Sequence, residues 1–237
     1  MAIKLTSSRS SAADGIKCII YGQAGAGKTR LIPSIPDVVM ISAERGALSI
    51  SSHDVPMIDV YQMSLSDVSD AIDWFCDSAE GKQFRCLAVD SVSEIAEKLL
   101  EDEKLKTKDP RQAYGETQSK MMTLARRIKS IHGRDACVIA KMSPEQDELG
   151  KTMYLPAMPG KKTGFSLAHV FDEIFALRVE SDTNGKTIPC LFTSSDSQWL
   201  AKDRSGRLDQ WELPDGSGPC PDRPNMGKIF AKMRGEV

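Results

Sequence analysis

The sequence predicts an α/β fold, with a mostly parallel sheet flanked by helices and antiparallel edge strands near the C-terminus. Three observations predict it. Short apolar runs alternate with helical patterns over residues 16–141. A glycine-rich loop follows the first apolar run directly. Further on, strand-like runs over Glu173 to Val179 and Thr187 to Phe192 flank Asn184-Gly185, a hairpin signal. A chain of 237 residues suits one such domain with appendages. The expected division is a flexible polar tail over 1–15, a core over 16–206 and a Pro/Gly-rich extension over 207–237 that wraps the surface.

The elements follow in order. Lys17-Cys18-Ile19-Ile20-Tyr21 is a continuous apolar run, the mark of a strand buried on both faces. Gly22-Gln23-Ala24-Gly25-Ala26-Gly27-Lys28-Thr29 fits G-x-x-x-x-G-K-[ST]. A helix begins there, and Pro33 predicts that it is short or irregular. Val38 to Ser42 is a second buried strand, ending at Glu44, and Met57 to Val60 a weaker third. Leu65, Val68, Ile72 and Phe75 share one helical face, so a helix spans Ser66 to about Ala79. Phe84 to Val89 is strand-like and ends at Asp90. A helix with Val92, Ile95, Leu99 and Leu100 follows, then a charged break over Lys104 to Pro110. A further helix is expected over Gly115 to His132, and a strand over Ala136 to Ala140 that ends at Lys141. Met142 to Gly164 reads as a long Pro/Gly-rich connection, with a hairpin turn at Leu149-Gly150.

Composition narrows the function classes. Apolar residues make up 41% and charged residues 27%, and no apolar run approaches a membrane span. The N-terminus lacks a signal-peptide core. Six scattered cysteines without a C-x-x-C pair read as reduced thiols of a cytoplasmic protein. The net charge of −2 is not that of a uniformly basic nucleic-acid binder, so any DNA contact must be local or built by assembly. His53, His132 and His169 make no metal spacing.

Residues 22–29 carry the clearest chemistry. Glycines let backbone N–H groups turn inward as an anion nest. Lys28 can reach the β- and γ-phosphates, and the Thr29 hydroxyl can ligate Mg²⁺. The cofactors expected are therefore ATP and Mg²⁺. Asp90, at a strand end, fits the second Mg²⁺-holding position; it also fits a helix N-cap. Glu44 ends the neighbouring strand and can polarise a water there, or it is a loop glutamate paired with Arg45. Lys141 is a phosphate sensor by position or a snorkelling surface lysine.

At these residues the chain resembles a family. Met40 to Leu48, with Ala43-Glu44 followed by Ala47-Leu48, resembles the RecA segment whose glutamate activates the hydrolytic water. Val89-Asp90-Ser91-Val92 resembles RecA's second nucleotide motif. Lys202-Asp203-Arg204-Ser205-Gly206 resembles the Lys-x-Arg-x-Gly element of DnaB-type helicases and related RecA-fold ATPases. In those proteins the Lys and Arg reach the γ-phosphate bound by a neighbouring subunit; an ordinary basic turn is the other reading. Overall, residues 16–206 are similar to phage RecA-like nucleotide-binding proteins, including small single-strand-annealing ATPases.

The resemblance implies a RecA-like P-loop core with Lys28, Glu44, Lys202 and Arg204 as catalytic residues. It implies an oligomeric, DNA-stimulated ATPase, filament or ring, that promotes annealing or recombination in the host cytoplasm, alone or with a single-strand-binding protein. Two loops would grip single-stranded DNA, one with Lys104, Lys106, Lys108 and Arg111, the other with Lys151, Lys161 and Lys162. Acidic neighbours such as Glu101, Asp102 and Glu145 leave a merely solvated surface open. The rival readings are an oligomeric helicase or loader, and a nucleotide-gated interaction switch without DNA.

Overall fold

The computed structural model describes residues 14–146, 150–160, 163–181 and 185–237. Its centre is a sheet in the order β3-β2-β4-β5-β1-β7-β8-β9, with β6 paired to β5 outside that path. The strands are β1 (Lys17–Gly22), β2 (Val38–Ser42), β3 (Met57–Asp59), β4 (Cys86–Asp90), β5 (Asp135–Gln146), β6 (Thr152–Pro156), β7 (Glu173–Ser181), β8 (Thr187–Phe192) and β9 (Trp211–Glu212). The helices are α1 (Leu65–Asp77), α2 (Val92–Lys106), α3 (Pro110–Lys129), α4 (Thr163–Val170) and α5 (Met226–Arg234). Strands β1 to β5 and β7 run parallel, and β8 and β9 add the antiparallel edge expected from the sequence.

Both sheet faces are dry, which is why β1, β2 and β4 read as unbroken apolar runs. On one face Ile19, Ile41, Leu87 and Val138 pack against Phe75 of α1, Leu99 of α2, Leu124 and Ile128 of α3, and Leu167 of α4. On the other, Ile20, Met40, Ala88 and Ile139 meet Leu31 and Ile32 of the turn after the P-loop, and Met226, Ile229, Phe230 and Met233 of α5. Burying each such side chain is worth about 1.5–3 kcal/mol, so α5 is integral to this second layer.

Some expectations hold and others need correction. The helix after the P-loop is short and irregular as Pro33 predicts, a six-residue 3₁₀ turn over Thr29–Ser34. Pro33 supplies no N–H for an α-helical bond, so the aligned dipole of a long helix is missing here. Asp109 caps α3 by accepting the Arg111 N–H at 2.9 Å, and Pro110 takes the first helical position. The expected break between α2 and α3 is present but narrows to residues 107–109, and the first segment expected at DNA, with Lys104, Lys106, Lys108 and Arg111, is mostly helix. The long connection after Met142 holds the expected hairpin, with Gln146 opposite Thr152, and then the unexpected α4. Leu149, Asn184 and residues 1–13 of the expected tail lie outside the described residues. No helix among the described residues is long and apolar enough to cross a membrane. All six cysteines are free thiols.

Candidate functional site

Parallel register brings the predicted residues to one edge. Gly22 at the end of β1 lies opposite Lys141 of β5 and Leu177 of β7, and Asp90 of β4 lies opposite Ser42 of β2. The P-loop leaves β1 at this edge. Gly25 and Gly27 have φ of 78° and 91°, which only glycine adopts without strain. A Cβ on Gly22 would stand 2.4 Å from the Leu177 carbonyl oxygen, so glycine lets β1 and β7 approach.

Lys28 bends back over its own loop. Its ammonium donates to the Gly22 and Gln23 carbonyls, both at 2.9 Å. Burial holds it below its ordinary pKa, against the pull of Asp90 and Glu44. The Thr29 hydroxyl donates to Asp90 Oδ2 at 2.7 Å. Burial pushes the Asp90 carboxyl up to about 6, and the nearby Glu44 charge acts in the same direction, while the Thr29 hydrogen bond opposes it. The helix N-cap is Ser91, whose Oγ accepts the Glu94 N–H at 3.3 Å. Asp90 is thus left facing Thr29, and its backbone carbonyl accepts the N–H groups of Ala43 and Glu44 at 2.7 and 3.3 Å. The Asp90–Ser91 peptide bond is cis.

Glu44 stands beside this pair, with Oε1 accepting the Ser91 hydroxyl. Arg45 lies 4.6 Å from the Tyr61 ring centroid, and among the described residues no ion pair joins it to Glu44. Lys141 pairs with Glu94 at 2.8 Å and Glu97 at 2.7 Å. Burial alone would lower its pKa; these two carboxylates outweigh that and raise it.

Lys202 and Arg204 are elsewhere. Lys202 bridges to Ile174, near the start of β7, and its ammonium donates to the Phe171 carbonyl at 2.6 Å. The Arg204 guanidinium pairs with Asp172 at 2.6 Å, and its backbone N–H donates to Glu173 at 2.9 Å. The start of β7 is the sheet edge opposite the P-loop. These two cations therefore do not enter their own subunit's site.

Of the residues expected at DNA, Lys106 is tied to Glu103 at 2.7 Å, and Lys104 lies over the Tyr114 ring at 5.7 Å. Lys108 and Arg111 are exposed; Lys151 is exposed and has a partner; Lys161 and Lys162 lie outside the described residues. Tyr114 and Arg111 line a groove of about 550 Å³ with Gly160 and Thr163, so both expected segments border it. Sequence reasoning missed Arg223, whose guanidinium lies against Gly27 of the P-loop. No local pattern could reveal it, because only the packing of α5 brings that segment to the loop.

A mostly parallel sheet whose shared edge carries a P-loop, an Asp facing its Thr, and a Glu just beyond the adjoining strand defines an α/β P-loop fold with a candidate nucleotide site. The chain belongs to the AAA domain family, whose model matches residues 14–205. Among solved structures it is similar to a KaiC-like protein from the archaeon Pyrococcus horikoshii, at 13% identity and a TM-score of 0.42, covering 76% of this chain and 79% of that one. It is also similar to the RadB recombinase, at 15% identity and a TM-score of 0.44, covering 76% and 89%. A third is the flagellar accessory protein FlaH from Methanocaldococcus jannaschii, at 10% identity and a TM-score of 0.40, covering 76% and 77%. No curated protein matches the chain.

Proposed function

We propose that this chain is a phage-type, Mg·ATP-dependent ATPase that assembles on single-stranded DNA and promotes annealing or recombination. The observation that carries the ATPase reading is the cluster of Lys28, Thr29, Asp90 and Glu44 at one sheet edge. The donor set fits the expected ion: a hydroxyl and a carboxylate, all oxygen, suit Mg²⁺. Thr29 and Asp90 would hold Mg²⁺ there, and the ion would supply positive charge to offset that of the phosphates.

The chain's own residues do the rest. Backbone N–H groups of residues 22–29 cradle the phosphates, and Lys28 meets the charge that spreads in the transition state. Glu44 orients a water for in-line attack and takes its proton. The Arg204 side chain is 63% exposed at the opposite edge, which suits insertion into a neighbour's site with Lys202. DNA binding is supported by the groove at Tyr114: an exposed ring with Lys104 over it and Arg111 beside it in the groove offers stacking and phosphate contacts together.

The test is ATP turnover per subunit, with and without single-stranded DNA, over a range of protein concentration. Turnover that rises with both supports the full reading. Turnover flat in both would leave a self-sufficient nucleotide switch and remove the DNA and assembly roles. A ring with directional unwinding would favour a helicase or loader.

A further inference from the structure

Arg223 is placed unusually for a surface arginine. A Cβ built on Gly27 would lie 2.6 Å from its Nε, 3.0 Å from Nη2 and 3.1 Å from Cζ. The guanidinium therefore rests directly on the P-loop, at the residue before Lys28. The side chain is only 16% exposed. Its Nε is the one buried side-chain nitrogen or oxygen among the described residues without a hydrogen-bond partner. A buried donor left unmade is costly, so this one calls for an acceptor.

Its neighbours satisfy the charge only in part. Nη1 donates to the Asp222 carbonyl at 3.2 Å and stands 3.5 Å from the Asp222 carboxylate. That carboxylate is held by Arg30 in a two-bond fork at 2.9 and 2.8 Å. The same segment is fastened to the turn behind the P-loop. The Met226 N–H donates to Ser34 Oγ at 2.9 Å, and a Cβ on Gly227 would stand 2.7 Å from the Ser34 carbonyl oxygen. Cys220 Sγ lies 3.4 Å from His53 Nε2. Several anchors thus hold residues 220–227 against the loop, with one cationic fork facing it.

We propose that Arg223 is a second cation of the nucleotide site. Its guanidinium donates to a phosphate oxygen of the nucleotide held by residues 22–29 of the same subunit. This rests on the P-loop reading above. The chemistry fits: a planar guanidinium with a free N–H beside an anion nest recognises phosphate oxygens, and charge-assisted bonds of this kind are short and strong.

The experiment measures ATP affinity by calorimetric titration for the wild type, Arg223→Gln and Arg223→Met, with circular dichroism to verify folding. Loss of one charge-assisted contact should weaken ATP about tenfold, and less at high salt. Wild-type binding with either folded variant within twofold overturns the inference and leaves the P-loop assignment standing. No binding by the wild type overturns both. If both variants unfold, amide exchange on the unaltered protein decides: ATP must slow exchange over residues 220–227 as well as 22–29. Protection of residues 22–29 alone overturns the inference.

Discussion

Replacing Lys28 by alanine removes an ammonium whose own-chain contacts are two carbonyls, Gly22 and Gln23, both at 2.9 Å. Gln23 is exposed, so water can replace that contact and the fold should survive. The loss falls on the nucleotide. A hydrogen bond to a charged group contributes about 1.5–3 kcal/mol, and a loss near the top of that range, about 2.7 kcal/mol, is a hundredfold in Kd. Thermal melting with ATP reads this directly. At ATP about one hundred times the wild-type Kd, binding stabilises the wild type by about 2.7 kcal/mol. The same ATP only equals the variant's Kd, and its gain is about 0.4 kcal/mol. For a chain of this size these correspond to rises of about 5–10 °C and about 1–2 °C. A folded variant that kept the larger rise would refute the assignment of residues 22–29.

Three other outcomes are expected. Glu44→Gln should keep the ATP-induced rise in melting temperature while kcat falls about a hundredfold or more; unchanged kcat would remove Glu44 as the base. Arg204→Ala should bind ATP normally but turn over slowly, and mixing it with Glu44→Ala should restore activity, since each supplies what the other lacks. Absence of rescue in co-assembled mixtures counts against donation between subunits. Burial raises the Glu173 carboxyl to about 7 from its usual 4.5, so between those pH values the folded state binds more protons than the unfolded one. Stability is then greatest below the lower value and is lost as pH rises to the higher. Glu173→Gln should remove that slope, gaining at most about 3 kcal/mol over the wild type between pH 5 and pH 8 in urea unfolding. A pH-independent difference would contradict this.

What the sequence made legible follows from burial. Strands β1, β2 and β4 are covered on both faces, so their apolar runs stand out and their ends mark the site edge. The motif residues were findable because the P-loop pattern is local and its partners sit at strand ends. Segments decided by tertiary packing were not. Pro110 read as a breaker, yet with Asp109 before it the proline begins α3. Helix α5 hid in Pro/Gly-rich surroundings, although Asn225 is a sound N-cap and Met226, Ile229, Phe230 and Met233 recur at helical spacing. Lys141 reads as a plausible sensor from position alone, and its two glutamate partners on α2 come only from the fold.

The seat of α5 on the turn behind the P-loop has a consequence for the order of biosynthesis. During translation every recognised motif emerges from the ribosome well before Met226. Until then Leu31 and Ile32 have no lid, and the turn they belong to stays wet on one side. A nascent or proteolytically nicked chain ending before residue 226 would carry all the motifs and lack the layer that steadies them. Limited proteolysis within residues 213–225 should therefore abolish nucleotide retention while leaving residues 22–29, Glu44 and Asp90 intact.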